Sequence, residues 1–406
     1  MPSSDSRAYF LGKVLAVIMV VLVALASAEI LLRAWFNLLP PLNHNLLPPG
    51  KAGLHLFQPA HGNAFYSVKR HYQQTFLRHE FRVDVRTNNM GLRENLDYVG
   101  EHVDIAFVGD SFTFGWGVEV GQRYSDVVAQ SFPRLNVLSY AYPNGHGPAN
   151  YLAFLQNHPK LIPDILVLGL FAFNDLADDT ADAVIETQNG KIRSVGSKSL
   201  KVSSEGFVVN KNYKTPSFPS ADWWAHHMAI GRTFNVALKR LRSGGKSPPR
   251  ADEWSSLDRG EWDGTALEAL GYIRDLHRLT DAAGSTLVVF YIPFPSYVSE
   301  TPVCTYTSEM CTMQRVRNDL GNALAEWTGA EGIHYIDPVD YFRKLAKLGE
   351  PLYYSYDAHW SPAGHAAAGE LISDFIQEVL IRHDSREDAV YLKANGSKGI
   401  DPSVVE

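Results

Sequence analysis

The sequence predicts an α/β protein, a three-layer α/β/α arrangement with a parallel central sheet, and three observations carry that prediction. Short apolar runs without polar alternation recur at 105–108, 165–171 and 286–292, the pattern of strands buried on both faces. Segments with helical spacing lie between them, so that strands and helices alternate along the chain. The first run stops at Gly109-Asp110-Ser111. Glycine there permits a sharp turn and leaves a small hydroxyl residue at the C-terminal end of a strand, where open α/β sheets place their ligands.

The chain begins with a different kind of segment. Residues 14–28 are almost all apolar, and with 9–12 the run approaches the roughly 20 residues that cross a bilayer. Arg7 and Lys13 lie at its N-terminal side, so the positive-inside rule leaves a short cytoplasmic tail, 1–8, and exports the remainder. Ala26-Ser27-Ala28 has the small-residue pattern of a signal-peptidase site, and cleavage is the competing reading. Because apolar character continues through Ile30, Leu31 and Leu32 to Trp35, a retained signal anchor over 9–36 is preferred.

Residues 37–100 read as a linker and β-rich lead-in. Pro40-Pro41 through Gly50 is rich in proline and asparagine, 81–87 alternates apolar and charged residues as a half-exposed strand does, and Asn88-Asn89-Met90-Gly91 makes a turn.

The main domain, 101–383, opens with the strand at 105–108 and a helix at 124–131 presenting Val127, Val128 and Ser131. A strand at 136–139 leads into Tyr142-Pro143-Asn144-Gly145-His146-Gly147-Pro148, a turn-rich stretch with free backbone N–H groups. A helix through Tyr151, Leu152 and Leu155 follows, and the strand at 165–171 ends near Asn174-Asp175. Over 176–262 the alternation breaks down into an insertion, read as a cap that shapes the substrate pocket. It has an Asn189-Gly190 hairpin signature, strand signal around Glu205-Gly206, and one helix over 221–242 stopped by Ser243-Gly244-Gly245. Within it Trp223, Trp224, His226 and His227 diverge in direction on a helix and read as packing residues. Helices at 265–283, 313–327 and 338–348 and strands at 286–292 and 333–336 complete the alternation. The tail, 384–406, is polar and without period, and is expected to be disordered.

Near the C-terminus, Asp357-Ala358-His359 precedes Pro362, which suits the first turn of a helix. A serine hydroxyl is a weak nucleophile until a neighbouring base takes its proton, and that base needs a third group to fix its tautomer. Ser111, His359 and Asp357 fill these roles. Asp110 and Asp175 are expected to brace loops, Asp337 is a second candidate for orienting His359, and His365 is expected at the surface. His102 and His146 lack an adjacent acid of the right kind.

With these blocks in this order, the sequence resembles the SGNH (GDSL-like) hydrolase superfamily over roughly 103–380. The blocks are Gly109-Asp110-Ser111, the turn at Pro143-Asn144-Gly145, Asn174-Asp175, and Asp357 with His359. Many members place the acid three residues before the histidine; here it is two. The resemblance implies an SGNH/flavodoxin-like fold and a serine ester hydrolase that needs no cofactor. Its oxyanion hole would be formed by the N–H of Ser111, an N–H from Asn144 or Gly145, and the side-chain amide of Asn174. The substrate it implies is a small-molecule or glycan ester, such as an acetylated cell-envelope carbohydrate. Passing the acyl group to a sugar hydroxyl would make the same residues an O-acyltransferase, and a catalytically silent carbohydrate-binding or scaffold protein is the reading from outside enzymology.

Composition sets the outer limits. A net charge of -7 over 406 residues gives no footprint for nucleic acid. The two cysteines, Cys304 and Cys311, are a disulfide candidate in an oxidising compartment, or two thiols. Neither has the neighbouring ligands that a metal site requires, and no metal is expected. Nothing in the sequence names a protein partner.

Overall fold

The computed structural model describes residues 4–39, 53–60, 66–143, 146–171, 174–178, 182–243, 262–298 and 318–381. Cys304, Cys311, Asn144, Gly145, the Pro40–Pro41 linker and the tail at 384–406 lie outside the described residues.

Five parallel strands form the central sheet: β1 (Ile105–Gly109), β2 (Val137–Ser139), β3 (Ile165–Leu170), β4 (Thr286–Tyr291) and β5 (His334–Ile336). Their spatial order is 5-4-3-1-2, so the winding direction reverses between β1 and β3. That reversal opens a crevice at the C-terminal ends of those two strands, the usual ligand position in doubly wound sheets. Right-handed crossovers then assign the layers. Tyr124–Ser131 packs on Pro362–Phe375 on one face, and Pro148–Asn157 packs on Gly264–Ala282 on the other. The apolar runs are continuous because both faces are covered: Ile105, Phe107, Val167, Leu168, Val289 and Phe290 are fully buried.

Two antiparallel hairpins make the lead-in, Phe57–Pro59 with Tyr66–Val68 and Gln73–Leu77 with Arg82–Arg86. They have their own apolar core of Leu56, Phe57, Tyr66, Phe76, Val83 and Val85, which also takes in Phe114 of the main domain. In the insertion, Ala183–Gln188 pairs with Lys191–Ser197 around Asn189-Gly190, both residues at positive φ, as a two-residue hairpin turn demands. This hairpin leans on Pro148–Asn157, where Gln156 accepts the Ile192 N–H at 2.9 Å. A second hairpin, Leu200–Val202 with Val208–Asn210, packs on the lead-in through a Phe57 N–H to Gly206 carbonyl bond of 3.2 Å.

Three details differ from the sequence expectation. The N-terminal helix runs over Ser4–Leu38, longer than an apolar span alone requires. The single helix expected at 221–242 is two helices, Ala221–His227 and Ala229–Ser243, separated by Met228 in an extended conformation. The break has a partner: the carboxylate of Glu29, from the N-terminal helix, accepts the Ala229 and Ile230 N–H groups that begin the second helix. His365, expected at the surface, is fully buried and stacks on Tyr124 at 5.9 Å.

Candidate active site

Residues 110–117 hold the first component. Asp110 caps the short helix Ser111–Phe114 by accepting the Phe112 N–H at 2.9 Å. Gly109 is required by close approach, since a Cβ there would lie 2.1 Å from Thr113 Oγ1 and 2.7 Å from the Gly169 carbonyl oxygen. Thr113 Oγ1 in turn lies 2.7 Å from the Tyr124 hydroxyl. Ser111, as the first residue of that helical turn, has an N–H with no acceptor inside the turn.

His359 approaches from a segment that lacks regular structure apart from a Tyr353–Trp360 bridge. Its Nε2 lies 2.8 Å from Ser111 Oγ and its Nδ1 lies 2.5 Å from Asp357 Oδ1. The imidazole sits between two rings, Phe112 at 4.7 Å and Trp116 at 5.6 Å. Both oxygens of Asp357 are engaged, because Trp116 Nε1–H donates to Oδ2 at 3.0 Å. Burial works to raise the Asp357 carboxyl, but the charge of His359 and the hydrogen bonds from His359 and Trp116 hold it below its ordinary value. The group therefore stays ionised beside the imidazole. Asp110 behaves oppositely: burial raises its carboxyl against the pull of His359, the Phe112 N–H and the Asn174 amide.

The segment is clamped from the lead-in. Glu80, at the tip of the second hairpin, accepts the backbone N–H groups of Ser355, Tyr356 and Asp357 at 2.5, 2.7 and 3.0 Å. Around it Phe81 packs on Tyr354 at 5.0 Å and Phe76 on Trp116 at 4.6 Å. Downstream, Ser361 caps helix Pro362–Phe375 by accepting the Ala363 and Gly364 N–H groups. Trp360, fully buried, fills the space between Phe112, Tyr124 and Phe342.

Asn174 follows β3 and opens a π-type turn over Asn174–Asp178, and its Oδ1 has no hydrogen-bond partner among the described residues. Asp175 accepts the Phe171 N–H at 3.1 Å, a brace for that turn. Asn144 and Gly145 are outside the described residues. His146, just beyond them, is buried between Tyr66 at 4.7 Å and Tyr142 at 4.5 Å, and burial pushes its imidazole down to about 3. Burial holds it neutral. Asp337 does not meet His359; it accepts the Val339 N–H at 2.9 Å and the Asn318 amide at 2.6 Å. His102 is bound to Asp164 at 3.0 Å beside Asp104, all just ahead of β1 and β3, at the opposite end of the sheet.

Sequence reasoning missed Trp116 and Glu80, and read Arg93 only as part of the structural turn Met90-Gly91-Leu92-Arg93. Trp116 follows the nucleophile turn, flanked by Gly115 and Gly117, and that pairing is the one signal available. Glu80 acts through backbone N–H groups some 275 positions away, which no local pattern records. Arg93, in the turn after the lead-in, is fully buried and donates to the carbonyls of Phe114, Gly115 and Val118, so it fixes the far side of the Ser111 loop.

A model of the GDSL-like Lipase/Acylhydrolase family matches residues 107–367, more than half of the chain. The chain belongs to this family. It is accordingly an ester-bond hydrolase of SGNH type. Among solved structures it is similar to a member of the lipolytic G-D-S-L family from Veillonella parvula, at 11% identity over 69% of this chain and 99% of that one, with a TM-score of 0.35. It is also similar to an acetyl-xylooligosaccharide esterase from Geobacillus, at 14% identity over 69% and 95% with a TM-score of 0.34. Likenesses this loose bear on no substrate. No curated protein matches. The family match begins at residue 107, so Glu80 and the lead-in hairpins lie outside it.

Proposed function

We propose that this family member hydrolyses its ester through an acyl-enzyme formed on Ser111. His359 Nε2 accepts the Ser111 proton as Oγ attacks the carbonyl carbon and returns it to the leaving alcohol. Asp357 holds the Nδ1–H tautomer and steadies the imidazolium. The Ser111 N–H, the Asn174 amide and an N–H from Asn144 or Gly145 receive the oxyanion, each such donor being worth about 3–4 kcal/mol in the transition state. Water activated by the same imidazole then releases the acyl group. The observation that carries this reading is the unbroken chain from Ser111 Oγ to His359 at 2.8 Å and on to Asp357 at 2.5 Å. A binding module has no need of it.

The substrate class we favour is an acylated, above all acetylated, carbohydrate of the cell envelope. Its support is the N-terminal helix: Tyr9–Leu38 is long and apolar enough to cross a membrane, and Arg7 and Lys13 on its N-terminal side favour, by the positive-inside rule, an orientation with the catalytic domain outside the cytoplasm. Purified full-length protein should hydrolyse p-nitrophenyl acetate, and its Ser111→Ala form should not. Equal rates would remove the nucleophile. Trapping the acyl group on the peptide containing Ser111 with acetylated glycans would identify the substrate, and transfer to a sugar rather than to water would show an O-acyltransferase.

A further inference from the structure

The break between Ala221–His227 and Ala229–Ser243 joins the catalytic domain to the apolar helix at a defined height. At 1.5 Å per residue, the twenty residues from Tyr9 to Ala28 span about 30 Å, the thickness of a bilayer core. Glu29 is the next residue. Its Oε1 accepts the Ala229 N–H at 2.9 Å and its Oε2 the Ile230 N–H at 3.0 Å, two of the donors that a helix N-terminus leaves open. Arg33 pairs with Glu29 at 2.5 Å and donates to the His227 carbonyl at 2.8 Å, tying down the end of the preceding helix. One turn on, Phe36 and Ala229 are buried together with Leu32 and Leu77. The stripe Glu29, Leu32, Arg33 and Phe36 is therefore occupied by protein. Ile30, Leu31, Trp35 and Leu38, on the rest of the same turns, are 59–79% exposed.

Helix Ala229–Ser243 shows the matching asymmetry. Arg232 is buried and donates to the His226 carbonyl, whereas Phe234 and Leu241 are 64% and 78% exposed. Seven residues apart, they share one face, and Ala237 between them is exposed as well. The last turns carry Lys239, Arg240 and Arg242. Single exposed apolar side chains are ordinary on a soluble surface. An apolar stripe with basic residues, bolted to the point where a membrane helix leaves the bilayer, is the composition of an interfacial helix.

We propose that Ala229–Ser243 lies on the membrane surface, with Phe234 and Leu241 in the headgroup boundary and the exposed Arg242 toward anionic phospholipid. The catalytic domain is thereby docked flat on the bilayer rather than tethered above it. Its site is then close to the lipid: Leu77 packs against the cluster of Phe36 and Ala229, and Glu80, three residues or at most about 11 Å further on, holds the Asp357 segment. This inference rests on the reading of 9–36 as a retained anchor.

The test uses full-length protein in nanodiscs of phosphatidylcholine with phosphatidylglycerol, carrying a benzophenone side chain at position 234 or, as control, at the 80% exposed Leu348. Irradiation is expected to attach phospholipid at 234 and not at 348, with the adduct falling severalfold in discs of phosphatidylcholine alone. Protein that resists carbonate washing yet gives no lipid adduct at 234 overturns the docking and leaves the anchor standing. Protein that washes off overturns the anchor reading and the docking with it. Independently, Glu29→Ala should raise amide hydrogen exchange at 229–230 by about tenfold or more; unchanged exchange there overturns the cap.

Discussion

Ser111 and His359 meet across 248 positions of sequence, yet they are held by different means. The serine sits on a turn whose geometry comes from the sheet: β1 ends at Gly109, Asp110 caps the turn, and Gly109 fits because Thr113 and the Gly169 carbonyl leave no room for a side chain. The imidazole and its acid sit on an irregular segment fixed by side chains from elsewhere. Glu80 binds three of its N–H groups, Trp116 binds Asp357, Tyr354 donates to the Gly117 carbonyl at 2.7 Å and Tyr353 to the Pro293 carbonyl at 2.7 Å. Backbone packing thus sets the proposed nucleophile, and a web of individually replaceable hydrogen bonds sets the proposed base. Part of that web belongs to the lead-in, outside the family-matched segment.

The comparison fails most visibly if the chemistry itself is misplaced. Ser111→Ala should lower kcat by about 10⁴–10⁶ with unchanged thermal unfolding, because the hydroxyl touches His359 and its loss disturbs no packing. Asp357→Asn should cost about 10⁴ by presenting the wrong tautomer-holding group to Nδ1. An Asp357→Asn enzyme within tenfold of the parent would hand the orienting role to some other group.

The web is tested by members that never touch substrate. Glu80→Ala and Trp116→Phe should each lower kcat by about 10–100-fold with KM nearly constant, since they move the base rather than the binding surface. Trp116→Phe also has a pH signature. The indole N–H is one of the bonds that keep Asp357 below its ordinary value, so removing it lets that carboxyl rise and take up a proton sooner on acidification. The acidic limb of kcat/KM should move to higher pH in the variant. A limb that stays in place would reduce Trp116 to a packing residue.

These two modes of support explain what could be read in the sequence. The sheet was legible because burial on both faces writes continuous apolar runs, and β1, β3 and β4 begin within a residue of where those runs do. The meeting of Ser111, His359 and Asp357 could be expected because Ser111 follows a strand end and the other two precede a helix start. The lead-in hairpin at 73–86 was legible as alternation, but its purpose was not: Glu80 recognises backbone N–H groups, which every residue has and no sequence advertises. The break at Met228 was hidden for the same reason, because the group that stabilises it is a carboxylate 199 positions earlier, counted to Met228 from Glu29. His365 looked like a surface residue because helical spacing from His359 says nothing of Tyr124, which arrives from the other side of the site.

His365 supplies the finest test, for it joins the two modes. Its helix begins at the His359 segment, while its Nδ1 accepts the Tyr124 N–H at 3.3 Å, from the helix that follows the nucleophile turn. Accepting requires a neutral ring, and burial first, with the charges of His359 and Arg93 adding to it, pushes His365 from 6.5 down to about 3. Between those values the unfolded chain binds a proton that the folded chain refuses. Stability is therefore fully present above pH 6.5 and falls as the pH drops through that window, by about 1.4 kcal/mol per pH unit for each such group. His146 is depressed in the same direction by burial, while Asp110, raised to about 6, takes up a proton in the folded chain near the same pH and offsets part of the loss. Urea midpoints measured between pH 7 and pH 5.5 should decline, and His365→Gln should make that decline shallower by one group's share whatever it does to the absolute stability. If the slope survives that substitution intact, His365 is charged or solvated in the folded chain, and the contact that ties the base segment to the nucleophile side is not the one described.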